Sequence, residues 1–80
     1  MKSEMGRELR IDELKPKTVV VLCKEGRPCV TIWVSRIGMD YVVFYAGQIN
    51  LTLIAHLRED GTLADDSGLR LRVFEYLGEI

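Results

Sequence analysis

The chain has 80 residues, 48% apolar and 29% charged, with 11 basic and 12 acidic side chains and a net charge of -1. That length supports one hydrophobic core rather than two. Its even balance of charge gives no general electrostatic pull toward nucleic acid, and no run approaches the roughly 18 apolar residues of a membrane-spanning helix.

Residues 1–15 mix Lys2, Glu4, Arg7, Glu8, Arg10, Asp12 and Glu13 with single apolar residues. The apolar stretch of a secretory signal is missing, so the expected compartment is the cytoplasm, where cysteines stay reduced. Met5 and Leu9 would share one helical face, with Leu14 nearly aligned. Gly6 weakens such a helix, Asp12 suits the cap of a single turn over 13–15, and Pro16 stops it. The segment therefore reads as a polar arm, irregular to about residue 7, with one or two helical turns within 8–15.

Beyond it the pattern is β. Strands are predicted over 18–23, 29–37, 41–46, 49–58 and 69–77, with a brief one near 62–64. These runs are rich in Val, Ile, Thr, Tyr and Phe, which suit a pleated, half-buried surface. Turn residues separate them: Lys24-Glu25-Gly26, Gly38-Met39-Asp40, Gly47-Gln48, Asp60-Gly61 and Asp66-Ser67-Gly68. The run 49–58 alternates most cleanly, with Ile49, Leu51, Leu53, Ala55 and Leu57 on one face. In the last run Phe74 and Tyr76 fall on the face of Arg70 and Arg72, and a bulge near 73–75 would return them to the core. Short turns make successive strands antiparallel neighbours. The expected fold is all-β: a single small antiparallel meander barrel of five to six strands, SH3-like, with an open bent sheet as the alternative. The expected core is Val20, Leu22, Val30, Ile32, Val34, Val43, Leu51, Leu53, Leu71 and Val73.

The catalytic inventory is thin. His56 is the one histidine, lies beside Arg58 on a polar strand face, and has no partner at a motif spacing. Ser3, Ser35 and Ser67 lack an obvious base, and Ser67 is explained by its turn. The pairs Glu59-Asp60 and Asp65-Asp66 lack the ligand spacing of a calcium loop, and no glycine-rich phosphate loop occurs. Cys23 and Cys29 flank a turn. With no secretory signal and no second ligand pair, free thiols are expected rather than a disulfide or half of a zinc site. No enzyme, cofactor or metal is expected.

Two binding surfaces remain. Strand 18–23 carries Val19 and Val21 on one face and Val20 and Leu22 on the other; strand 41–46 is likewise apolar on both. Only one face of each reaches a core, so the other needs a cover. The N-terminal arm, through Met5, Leu9, Ile11 and Leu14, is the local cover; another protein or a second copy of the chain is the other. The expected interface is Val19, Val21, Trp33, Tyr41 and Tyr45. The alternative is nucleic acid on a stripe of Arg58, Arg70, Arg72 and Tyr76, with Phe74, His56 and Trp33 alongside. Trp33, Tyr41, Tyr45 and Tyr76 could also furnish an aromatic groove, without the acidic loop and paired tyrosines of peptide-binding SH3 domains. Short, near-neutral, strand-rich chains of this kind are common among bacterial and phage accessory proteins.

The stretch VVVLCKEGRP has a faint likeness to the first hairpin of Sm-like RNA-binding proteins, which also place a short helix before a strand and a glycine-containing turn. The likeness covers those residues alone. The glycine and acidic–Asn motif that mark the family further along are not recognisable here.

Overall fold

The computed structural model describes residues 4–78, omitting the side chain of Glu4. Its strands are β1 (Glu4–Leu9), β2 (Val19–Lys24), β3 (Val30–Ile37), β4 (Tyr41–Ala46), β5 (Leu51–Leu57), β6 (Leu63–Ala64) and β7 (Arg70–Gly78). Each of β2 to β7 pairs antiparallel with the next, and β7 returns to β2, which closes a six-stranded barrel. The expected small meander barrel is the fold that forms, and every expected strand is present with ends shifted by a residue or two.

The N-terminal segment differs from expectation. β1 is a strand, paired with the distal half of β7 through Met5↔Tyr76, Glu8↔Phe74 and Leu9↔Val73. A single 3-10 turn, Ile11–Glu13, follows, with the Glu13 carboxylate accepting the Arg10 N–H at 2.8 Å. The reason is an open edge. β6 is so short that it covers only Arg70 and Leu71 of β7, and β1 takes the ladder positions beyond. The arm also fills the barrel's end. Leu14 is buried in the core, and Leu9 and Ile11 pack against it. It thus covers the interior rather than the outer faces of β2 and β4.

The core is Leu14, Val20, Leu22, Ile32, Val34, Val42, Phe44, Ala55, Leu63, Leu71 and Val73. Three expectations need correction. Val42 and Phe44, both 0% exposed, are the inward pair of β4, so Val43 faces out. The register fixes this, since Phe44 lies opposite the inward Val34. Val30 and Leu51 sit at strand ends, 50% and 46% exposed. The bulge expected in β7 is absent from its ladder with β2, which runs unbroken from Val20↔Glu75 to Lys24↔Leu71. The β1–β7 ladder shifts at Glu4/Met5 and Met5/Glu8, and a further shift falls in β3 between Val34 and Arg36. It keeps Ile37 opposite the inward Val42 after Ser35. Phe74 consequently stays outside, half-buried, with the Arg72 guanidinium 5.3 Å from its ring centre.

The cysteines are joined. Leu22 pairs with Val30, so the next residues toward the turn, Cys23 and Cys29, stand opposite each other, with Cα atoms 4.1 Å apart and a disulfide between them. The free-thiol expectation rested on the polar composition of residues 1–15 and on the lack of a second ligand pair. Hairpin register decides the matter instead. Among the described residues no helix is long and apolar enough to cross a membrane.

Candidate functional site

The outer surface of β2 to β5 holds a set of exposed and half-buried apolar side chains that the ladders bring together. Val19 lies opposite Trp33, Trp33 opposite Tyr45, and Tyr45 opposite Thr52. One position along, Val43 lies opposite Ile54. Trp33, Tyr45 and Ile54 are 49%, 39% and 39% exposed, and Val19 and Val43 are half-buried. Facing residues on antiparallel strands are about 5 Å apart, so these side chains touch solvent as one patch.

The aromatics are held in place. Gly47 lies under the Tyr45 ring, where a Cβ would come within 3.3 Å of it, and the Tyr45 hydroxyl donates to the Asn50 Oδ1 at 3.3 Å. Tyr41 packs on Gly38, where a Cβ would collide with the ring, and the Arg36 guanidinium stacks 5.6 Å from the ring centre. A groove of about 520 Å³ runs beside Trp33, bounded by Val19, Thr31, Ala46, Gly47 and Gln48.

Of the five expected interface residues, Val19, Trp33 and Tyr45 come together. Tyr41 lies four residues along β4, about 13 Å away. Val21 is only 7% exposed, flanked in the ladders by Thr31 and Phe74, and offers little contact surface. Sequence reasoning placed Ile54 on the outward face of β5 and left it out of the interface, because the other residues of that face are polar. It also missed the free edge of β5. Leu57 donates its N–H to Asp40, and backbone groups alternate sides, so Thr52, Ile54 and His56 point away from β4. β6 pairs with β5 at His56 and Leu57 alone. Among the described residues the N–H and C=O groups of Thr52 and Ile54 therefore have no strand beside them, and Lys24 and the turn at Asp65, Asp66 and Ser67 face them across a depression.

Arg70, Arg72, Phe74 and Tyr76 share the outer face of β7, as expected for an unbulged strand, but two arginines of the stripe are engaged. Arg72 is held by Glu8 through two bonds of 3.1 and 2.8 Å, which pull the Glu8 carboxyl below its ordinary range. Arg58 donates to the Gly68 carbonyl. Tyr76 is six residues from Arg70 on β7, roughly 20 Å away.

The turn carboxylates have structural work. Asp65, 8% exposed, accepts the Ser67 and Leu69 N–H groups at 2.9 Å and pairs with Lys24 at 2.9 Å. The Lys24 contact leads the causes that lower its pKa. Asp60 accepts the Thr62 hydroxyl and N–H at 2.6 and 3.0 Å, which lower its pKa likewise. His56 does have a partner: its Nε2 is 2.6 Å from Asp66, ten residues on, and both side chains are open to solvent. The pair ties β5 to the β6–β7 turn. Among the described residues no group of three His, Cys, Asp or Glu side chains is placed to hold a metal ion.

Compared with known proteins, the chain matches no family model, and no curated protein or solved structure is significantly similar to it.

Proposed function

We propose that the chain is a non-enzymatic binding module that engages protein through the outer face of β2 to β5, a second copy of itself being the first occupant to test. One observation carries the reading: exposed Trp33, Tyr45 and Ile54, with half-buried Val19 and Val43, form a contiguous apolar patch on four adjacent strands. Trp and Tyr at the centre of such a patch are the residue types that dominate binding energy at protein interfaces. Burial of the patch contributes at about 25 cal/mol per Å² of apolar area, enough for a modest interface after association costs. The unpaired edge at Thr52 and Ile54 adjoins it and adds backbone groups that a partner strand can satisfy.

The test is the molar mass from light scattering over a concentration series, for the wild type and for Trp33→Glu. A dimer that Trp33→Glu converts to a folded monomer supports the reading. A wild type that stays monomeric at millimolar concentration, and shifts RNA or duplex DNA in a salt-sensitive manner, replaces it with nucleic-acid binding.

A further inference from the structure

The Cys23–Cys29 bond lies outside the barrel core, where small molecules can reach it. Cys29 is exposed, Cys23 is half-buried, and the adjacent Val30 is 50% exposed. On its other side Cys23 stands opposite Arg72 in the β2–β7 ladder. Cys23, Lys24, Glu25, Arg70 and Arg72 line one depression of about 350 Å³. Lys24 is paired with Asp65 and Arg72 with Glu8. Arg70 makes no ion pair among the described residues; it acts on Glu8 only at longer range, and Glu25 lines the same depression.

The hairpin has other supports. Arg27 N–H donates to the Lys24 carbonyl at 2.9 Å, and Glu25 N–H donates to the Arg70 carbonyl at 3.0 Å. Gly26 takes the left-handed backbone, φ 75°, that the turn requires. β2 is paired with β7 from Val20 to Lys24, so opening the S–S bond leaves both of its ladders in place.

We propose that Cys23–Cys29 is a thiol-exchange site, opened and re-formed on the folded barrel by low-molecular-weight thiols, anionic ones above all. A thiolate RS⁻ attacks the exposed Cys29 Sγ. The S–S bond breaks, its electron pair leaves on Cys23 Sγ, and Cys29 carries RS as a mixed disulfide. A second RS⁻ attacks the R-borne sulfur, forming RSSR and releasing Cys29 as thiolate. The two small thiols lose two electrons, the two protein sulfurs gain them, and the protein thiolates take up the protons the small thiols released. Arg70 draws in an anionic attacker and stabilises the departing Cys23 thiolate. Accessible disulfides of this kind are the exchangeable ones.

The experiment uses the oxidised full-length chain at low salt, with mercaptoethanesulfonate as the anionic thiol and cysteamine as the cationic one, followed by acid quenching and intact mass. The rate should rise linearly with thiol concentration while Trp33 fluorescence stays native, and the mixed disulfide should map to Cys29. Arg70→Glu should slow mercaptoethanesulfonate by about threefold and speed cysteamine by a similar factor, the size expected for reversing one screened surface charge. Arg70→Gln, which removes the charge without reversing it, should fall between. A rate that levels off with thiol concentration would show that the bond opens only after unfolding, and would overturn the proposal. So would an adduct on Cys23, rates unchanged by both Arg70 variants, or two thiols that stay reduced in the presence of an oxidised thiol.

Discussion

Trp33 and Tyr45 illustrate how a residue can be well fixed and still exposed. Each has ladder neighbours on both sides, and Gly47 and Asn50 hold the tyrosine, yet neither ring reaches the core. Trp33→Ala should therefore leave the thermal midpoint nearly unchanged while weakening association by about 2 kcal/mol, the cost typical of a central interface aromatic. Paired denaturation and dilution measurements check both halves. Asp65 is the opposite case, a carboxylate whose charge serves the fold. Asp65→Asn keeps an oxygen to accept the Ser67 and Leu69 N–H groups and loses the charge facing Lys24. Because the folded pKa of Asp65 is lowered, its contribution is complete above the ordinary aspartate pKa and fades as pH falls through the folded value. The variant should melt below the wild type at neutral pH, and the gap should close in strong acid. A gap independent of pH would assign the effect to something other than the ion pair. At this scale the sequence was informative about residue type and poor about neighbours. Asp66, ten residues from His56, is within reach only because β5 and the β6–β7 turn meet, and no spacing along the chain announces that.

At the scale of elements, the strands after residue 17 were legible because turn residues and alternation agree. β1 was not. Its side chains alternate weakly, and helical spacing of Met5 and Leu9 suited a turn of helix equally well. What selects the strand is the stretch of β7 edge that β6 leaves unpaired, a tertiary circumstance. The face of β4 was illegible for a related reason: both faces are apolar, so only its register with β3 chooses Val42 and Phe44 for the core. Docking of the N-terminal segment can be tested at Leu14, 6% exposed. Leu14→Ala should destabilise by about 2–4 kcal/mol in urea denaturation, as a buried Leu truncation does, whereas a frayed arm would give almost no change. The disulfide is a second element-level device, closing a sequence separation of 6 at the β2–β3 turn. Replacing both cysteines with serine should cost about 2 kcal/mol from the loop length alone, and the barrel should still fold.

For the molecule as a whole, closure of the barrel accounts for both the stability and the surface. A six-stranded barrel has one interior, and Phe44 with its aliphatic neighbours fills it. The apolar residues on the outer faces of β2 to β5 then have no internal use. The sequence showed this surplus as strands apolar on both sides, and it overestimated its extent, since Phe74 and Thr31 flank Val21. What remains is a patch around Trp33 and Tyr45 with an open strand edge beside it. The most direct measurement is the weight-average mass by light scattering between micromolar and millimolar protein, with Trp33→Glu in parallel. The account predicts that the mass rises toward twice that of the chain with increasing concentration, and that Trp33→Glu stays at the monomer mass with a native circular dichroism spectrum. A wild type fixed at the monomer mass throughout, or a variant that associates as readily as the wild type, would contradict it.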